Sequence, residues 1–349
     1  MNEIHRIDLP RIVLVGRGVL DSLGDVCLEL GVRRALIVTG GKTYRIAGMR
    51  AQQILNADGI RSDVTYVSVA DMETMERVKL EVFESEADAV IGVGGGRTID
   101  VAKLSAANSD NHFISVPTTA SHDGIASSSA SIKGLGRPYS IRAVPPTAVL
   151  MDSLIVSQSP YRFTASGCGD VISKVVSVED WRMAHRETGE YYGEYAGSLA
   201  LMSSTLIMQN ARLISGRTEE GYRTLLEALV SCGVSMSIAG SSRPCSGSEH
   251  LFSHTLDMIA PGKALHGEQC GVGTIMMANL HGLDWRGIKE SLRIIGAPTT
   301  AEELGVTAET LVEALVRARD IRPDRYTILS KVHLDEREAK LLAEEYGVI

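Results

Sequence analysis

Residues Ala89 to Ser127 read AVIGVGGGRTIDVAKLSAANSDNHFISVPTTASHDGIAS, and the order of residue types in this stretch decides the fold. Ala89-Val90-Ile91-Gly92-Val93 is a short apolar run of the kind that makes a parallel strand buried on both faces. Gly94, Gly95 and Gly96 follow, then Arg97-Thr98 and a helical segment opening at Ile99-Asp100. A strand, a glycine turn and a helix start gather free N–H groups and the positive end of a helix dipole at one spot, which suits an anion. The triplet is not GxGxxG, and by itself it serves equally as a tight left-handed turn. A second strand, Phe113 to Val116, ends in Pro117-Thr118-Thr119-Ala120-Ser121-His122-Asp123-Gly124, a loop of hydroxyls with one carboxylate. Polar loops at the carboxyl ends of neighbouring strands are where an open α/β sheet binds a nucleotide.

Working outward, Ala35 to Thr39 reads as a strand ending in Gly40-Gly41, the segment around Ala51 to Leu55 as a helix, and Asp63 to Val69 as a second strand. Glu73 to Ser85 is helical, residues 133–138 look like a hairpin turn, and Ala148 to Met151 is the last strand. Alternating β and α segments predict a parallel sheet with right-handed crossovers. Beyond Ser159-Pro160 the chain is rich in Ala, Leu, Met, Glu and Arg, and strand signals are nearly absent. The expectation is a Rossmann-like α/β dinucleotide-binding domain over residues 1–155 and an all-α metal- and substrate-binding domain over 156–349. A ligand is expected in the cleft between them.

The composition removes several classes of function. With 349 residues, 44% hydrophobic and 22% charged, the chain reads as an ordinary globular enzyme. A net charge of −8 with no basic stripe argues against nucleic acid, and 5% aromatic residues leave few stacking platforms for single strands. No apolar run is long enough for a bilayer, and MNEIHRIDLPRIVLVG at the N-terminus lacks the features of a signal peptide. Cys27, Cys168, Cys232, Cys245 and Cys270 form no CxxC pair. They are expected as reduced thiols of a cytoplasmic protein, not as a disulfide framework or a cysteine-based zinc site.

The helical half carries three polar clusters. Asp170 sits in the apolar helical context GCGDVISK, residues 167–174. His250 and His254 lie one turn apart on one helical face, and His266 follows the break at Pro261-Gly262, at the start of a new helix. An aspartate with two imidazoles is a common ligand set for a divalent metal that keeps an open position, and zinc is the first expectation. The spacing alone describes ordinary helix histidines with local hydrogen bonds more often than metal ligands.

The segments GVGGGRTIDVAK (92–103), SVPTTASHDGIASSSASI (115–132), GCGDVISK (167–174), SEHLFSHTLD (248–257) and ALHGEQCGVGT (264–274) together resemble the archaeal-type sn-glycerol-1-phosphate dehydrogenase family. That family belongs to the superfamily of glycerol dehydrogenase, iron-type alcohol dehydrogenases and dehydroquinate synthase. The resemblance spans essentially the whole chain. It implies reduction of dihydroxyacetone phosphate to sn-glycerol 1-phosphate, for archaeal membrane lipids, with NAD(H) or NADP(H) and one divalent metal per subunit. It also implies that Gly95, Gly96, Arg97, Thr98 and Asp100 hold the cofactor's pyrophosphate and ribose. Thr118, Thr119 and Ser121 would line the nicotinamide side, with Ser127 also on the cofactor. Asp170, His250 and His266 would be the metal ligands, and Asp123 and His254 would face the substrate, with a homo-oligomer as the assembly.

The substrate phosphate needs a cation. Lys174, one turn after Asp170, is the first candidate, followed by Arg243 and Lys263. His254 or Asp123 is expected to relay the proton, since a histidine titrates near neutrality, and Asp170 is expected to stay ionised. The first βα turn, Thr39-Gly40-Gly41-Lys42, has no acid for a ribose 2′-hydroxyl and has a lysine nearby, which predicts use of both NADH and NADPH. His5, His112, His185, His281 and His333 are expected at the surface or in caps, and Trp181 and Trp285 in packing. His122 has no assigned role. Glu268 is expected either to orient a metal ligand or to favour a helix start. Glycerol dehydrogenase, a dehydroquinate-synthase-like cyclase and a metal- and nucleotide-binding regulator without turnover are the competing readings.

Overall fold

The computed structural model describes residues 5–107, 109, 111–132 and 139–349, so the turn expected at 133–138 lies outside the described residues. The chain divides into two compact units, Met1–Tyr161 and Arg162–Ile349.

The first unit is built on a six-stranded sheet. Its strands are β1 (Ile12–Gly16), β2 (Arg34–Thr39), β3 (Arg61–Tyr66), β4 (Ala89–Gly94), β5 (His112–Pro117) and, after the antiparallel pair β6 (Ser129–Ile132) and β7 (Tyr139–Arg142), β8 (Ala148–Asp152). The order across the sheet is β1-β8-β5-β4-β2-β3, and every neighbouring pair is parallel. From β2 the chain moves outward to β3, and from β4 it moves the other way to β5 and β8. The reversal falls between the neighbours β2 and β4, and the carboxyl end of such a pair is where open sheets form a crevice.

The sheet is buried on both faces for separate reasons. Ile37, Ile91 and Ile114 stand side by side across β2, β4 and β5. They share one core with Leu23 of helix α1 (Leu23–Glu29) and Leu55 of α2 (Met49–Ala57). Side chains alternate between faces along a strand, so Gly92 points the other way, toward helix α4 (Gly96–Ala107), which follows α3 (Met72–Glu84). A Cβ on Gly92 would stand 2.9 Å from Ala102 Cβ and 3.2 Å from Ile99 Cδ1. The glycine sets how closely α4 lies on the strand. At the far edge, among the described residues, β1 pairs only with β8, where the buried Asp152 accepts from Gly18 N–H at 2.9 Å and Leu20 N–H at 3.1 Å.

The second unit is helical, with no strand among its described residues. Its longer helices are α5 (Tyr161–Ile172), α6 (Lys174–Thr188), α7 (Glu194–Gln209), α8 (Glu219–Ala239), α9 (Ser248–Ile259), α10 (His266–Leu280), α11 (Trp285–Ile295), α12 (Ala308–Arg317) and α13 (Glu336–Glu345). Gly189 and Gly240 end α6 and α8 in the left-handed conformation, at φ 75° and 65°. Helix α5 meets α10 backbone to backbone. A Cβ on Gly267 would stand 1.9 Å from Ser166 O, and one on Gly169 would stand 2.3 Å from Gly267 O. Among the described residues, no helix is long and apolar enough to cross a membrane. Trp181 is buried with its Nε1–H on Tyr191 O, and Trp285 packs edge-on against Tyr346.

Exchanging Gly92 for alanine tests the β4–α4 contact. Alanine in a strand is ordinarily favoured over glycine, but here the added methyl should destabilise the chain by about 1–3 kcal/mol, read as a lower urea midpoint.

Candidate active site

The carboxyl ends of β2, β4 and β5 lie level, Thr39 beside Val93 and Val93 beside Val116, so three loops leave the sheet at one height. None of Gly94, Gly95 and Gly96 takes a positive φ. The left-handed turn is therefore not what these glycines provide; close approach is. A Cβ on Gly94 would stand 2.7 Å from Thr98 Cβ, and one on Gly96 would stand 2.1 Å from His122 Nε2. At Gly95 the nearest atom is the Thr119 hydroxyl, 3.5 Å from a built Cβ. Helix α4 thus starts beside bare backbone and a hydroxyl, with its dipole aimed there.

The other expected cofactor residues surround this point. Arg97 is exposed and donates to Ser68 O at 3.1 Å, while Thr98 is buried against Gly94. Thr118 N–H donates to Gly94 O at 3.0 Å, tying the β5 loop to the glycine loop. Thr119, Ser121, His122 and Asp123 are half-buried and Ser127 is buried. The His122 ring accepts at Nδ1 from Gly124 N–H, 3.0 Å away, and lies over Gly96.

Asp100 departs from expectation. Its carboxylate, only 5% exposed, turns inward to accept from Ser131 N–H at 3.2 Å and sits 3.7 Å from Lys103 Nζ. Lys103 is fully buried and donates to Gly124 O and Ser129 O, both at 2.6 Å, and to Ser127 Oγ at 3.4 Å. Three oxygen acceptors and a carboxylate require the ammonium form, although burial presses the lysine's pKa down and that of Asp100 up. One side chain thus fixes the loop bearing Asp123 and Ser127 onto α4. The sequence placed Lys103 inside the signature segment without marking this task.

In the helical unit, close packing of α5, α9 and α10 gathers a donor set. Asp170, His250, His266 and Cys270 each bring one ligand atom, and these atoms all lie within 4.8 Å of one another. His250 Nδ1 is 2.6 Å from Glu249 Oε1, which turns Nε2 inward to 3.7 Å from Asp170 Oδ1. His266 Nδ1 is 3.0 Å from Ser253 Oγ, and that hydroxyl donates to Gln269 Oε1 at 2.6 Å. Imidazoles whose outer nitrogens are held by a carboxylate or hydroxyl are oriented as metal-bound histidines are. One carboxylate with two such rings suits a divalent ion of borderline softness. His254 stands outside this set, its ring centroid 6.3 Å from that of His250 and 5.9 Å from that of His266. Its Nδ1 is buried with no hydrogen-bond partner among the described residues.

The electrostatics separate these groups. Burial raises the carboxyl pKa of Asp170, but the Lys174 ammonium and the His266 and His250 rings outweigh it and hold Asp170 well below the usual carboxylate range. Glu249 is lowered too, because its bonds with His250, Ser177 and Gly247 overcome desolvation. His254 is pushed down to about 3 by burial and by the charges of His250, Arg322 and Arg325. At neutral pH it is an uncharged ring, so the expected imidazolium proton donor is not present there.

The structure also settles the surroundings of other residues that the sequence singled out. Lys174 is fully buried, its Nζ donating to Asp170 Oδ1 at 2.6 Å and to Cys245 O at 3.2 Å, so it has no face to offer a phosphate. Arg243 is likewise enclosed, paired with Glu190 and donating to Tyr326 O, whereas Lys263 is exposed. Glu268 does not orient His266; it accepts from Leu265 N–H at 2.7 Å and pairs with Arg162. His281 caps the carboxyl end of α10, one of the two places expected for it, with its ring buried and Nε2 2.9 Å from Asp180 Oδ1. Glu249, Ser253 and Cys270 are the members of the cluster that the sequence did not mark.

Known proteins resemble the chain along its length. The family model of iron-containing alcohol dehydrogenases matches residues 14–160. The glycerol-1-phosphate dehydrogenase (NAD(P)+) of Methanosarcina mazei is 52% identical over 329 residues, covering 94% of this chain and 92% of that protein. The enzyme of the same name from Thermococcus kodakarensis is 49% identical over 348 residues, 99% of each. Among solved structures, a probable glycerol dehydrogenase from Sinorhizobium meliloti superposes with a TM-score of 0.81 over 98% of each chain at 21% identity, a likeness of fold.

Replacing Lys103 by methionine should expose how much the loop depends on it. The change leaves the Asp100 carboxylate buried without its cation, and unfolding free energy should fall by about 3–5 kcal/mol, measured in urea. Adding Asp100→Asn should recover part of that loss.

Proposed function

The chain belongs to the glycerol-1-phosphate dehydrogenase (NAD(P)+) family, and we propose that it reduces dihydroxyacetone phosphate to sn-glycerol 1-phosphate with NADH or NADPH, making the glycerophosphate backbone of archaeal membrane lipids. The observation that carries this reading is the cluster of Asp170, His250 and His266 with the buried, unpartnered Nδ1 of His254 beside it. Such a set combines a Lewis-acid site with a hydrogen-bonding group for the same substrate.

Asp170, His250 and His266 would hold a divalent ion, zinc being the first candidate, which would supply an electrophile for the charge growing on the carbonyl oxygen. The protein's own groups prepare that site. Glu249 and Ser253 fix the ring orientations, and Lys174 keeps Asp170 ionised. His254, neutral, offers Nδ1 as an acceptor for the substrate's hydroxyl, and Asp123 supplies a second polar contact. Gly95, Gly96, Arg97 and Thr98 hold the pyrophosphate at the start of α4, while Thr118, Thr119, Ser121 and Ser127 line the nicotinamide. Asp100 serves them through Lys103 instead of touching the ribose. Bound NADH or NADPH would supply the hydride for the ketone carbon, and water would supply the proton that completes the alcohol. Lys42, exposed in the short helix Gly41–Thr43 that follows β2, is a cation available to a 2′-phosphate. Lys263 remains for the substrate phosphate, joined by the half-buried Arg322, whose charge already acts on His254. The reading includes a cytoplasmic homo-oligomer.

Oxidation of NADH and NADPH with dihydroxyacetone phosphate, before and after chelation and zinc restoration, tests the proposal. Metal-dependent turnover to the sn-1 product is expected with both cofactors. Turnover only with unphosphorylated substrates, or none from folded, zinc-loaded protein, would refute it. Glu249→Gln should weaken zinc binding by about 10–100-fold in competition with a chelating dye, because His250 loses the carboxylate that orients it.

A further inference from the structure

We infer that Cys270 is a fourth protein ligand of this metal centre, binding as a thiolate while substrate is absent; the inference rests on the reading that the cluster holds a divalent ion. Cys270 lies one turn beyond His266 on α10, and its Sγ is 3.6 Å from His266 Nε2. Zinc–sulfur and zinc–nitrogen bonds of about 2.3 and 2.0–2.1 Å at a tetrahedral angle place the two ligand atoms about 3.6 Å apart. The sulfur also lies within 4.8 Å of the Asp170 and His250 ligand atoms, so it stands with the whole set and not with one ring. The side chain is wholly buried and has no solvent to face.

Charge points the same way. The ligand Asp170 and two of the groups bonded to the set, the Glu249 carboxylate and the Lys174 ammonium, are fully buried. Together they carry one negative charge, and a divalent cation turns that into one positive charge. An uncompensated buried charge is expensive, and one thiolate brings the site to neutrality. On binding, the S–H bond breaks, a sulfur–metal bond forms and one proton leaves to solvent, with no change of oxidation state. Four protein donors then close the coordination sphere of the resting protein.

X-ray absorption at the zinc edge of the zinc-loaded, substrate-free protein tests this without any variant. One sulfur neighbour at about 2.3 Å beside nitrogen and oxygen at about 2.0 Å is expected. A shell of nitrogen and oxygen alone overturns the inference while leaving the metal site standing, and failure to take up zinc overturns both. In cobalt-loaded protein a sulfur-to-cobalt charge-transfer band should appear in the near ultraviolet. Cys270→Ser should lose that band, keep the visible ligand-field bands and bind zinc at least about 10-fold more weakly. Identical ultraviolet spectra for the two proteins would also overturn the inference.

Discussion

Much of the candidate site depends on one close approach, the contact of the α5 and α10 backbones at Gly169 and Gly267. No side chain fits between them, since a Cβ on Gly267 would stand 1.9 Å from a carbonyl oxygen. That contact brings Asp170, the residue after Gly169, next to His266, the residue before Gly267. Gly273 repeats the arrangement one helix over, where a Cβ would meet Glu249 O at 3.3 Å. The donor atoms converge because the helices carrying them touch through glycine, and the orientation of the rings by Glu249 and Ser253 builds on that distance.

Both units bury a lysine beside an aspartate, and in both the cation works on the protein itself. Lys103 ties the β5 loop to α4, and Lys174 ties α6 to Asp170 and to the chain at Cys245. Each ammonium is wholly enclosed. Enclosed charges hold geometry firmly because leaving either partner alone in a low dielectric is so unfavourable. Within each unit the candidate residues therefore sit on stiff supports.

The parallel sheet was legible in the sequence because its central strands are short apolar runs, and the helical second half because strand patterns vanish after Pro160. Hydrophobic period reports which face is buried. It does not report what a buried polar group bonds to, and the inward turns of Lys174 onto Asp170 and of Asp100 toward Lys103 are of that kind. Lys174 occupies a position that looks like a ligand contact on a helical wheel, yet its partner is Asp170, one turn away; Asp100, placed on the cofactor by resemblance, faces Lys103. Glu249 escaped notice because adjacent helix residues ordinarily face apart. It reaches His250 only because it sits in the first turn of α9, folded back on Gly247 N–H at 2.9 Å. Cys270 was passed over because cysteines were sought in CxxC pairs along the chain, whereas the donor atoms around this one come from α5, α9 and its own helix α10. The glycine triplet was recognised, but its reason, close approach without positive φ, needed coordinates.

The pairing of β1 with β8 also orders events in time. Gly18 and Asp152, which join the two strands, are 134 positions apart. During synthesis β2 to β5 can find their neighbours as they emerge, while the first strand made has nowhere to dock until the last is complete. Contacts of such long range close late and slowly. Until then β8 would leave an apolar edge open, so the window in which the nascent chain is prone to self-association ends with the placement of its own beginning.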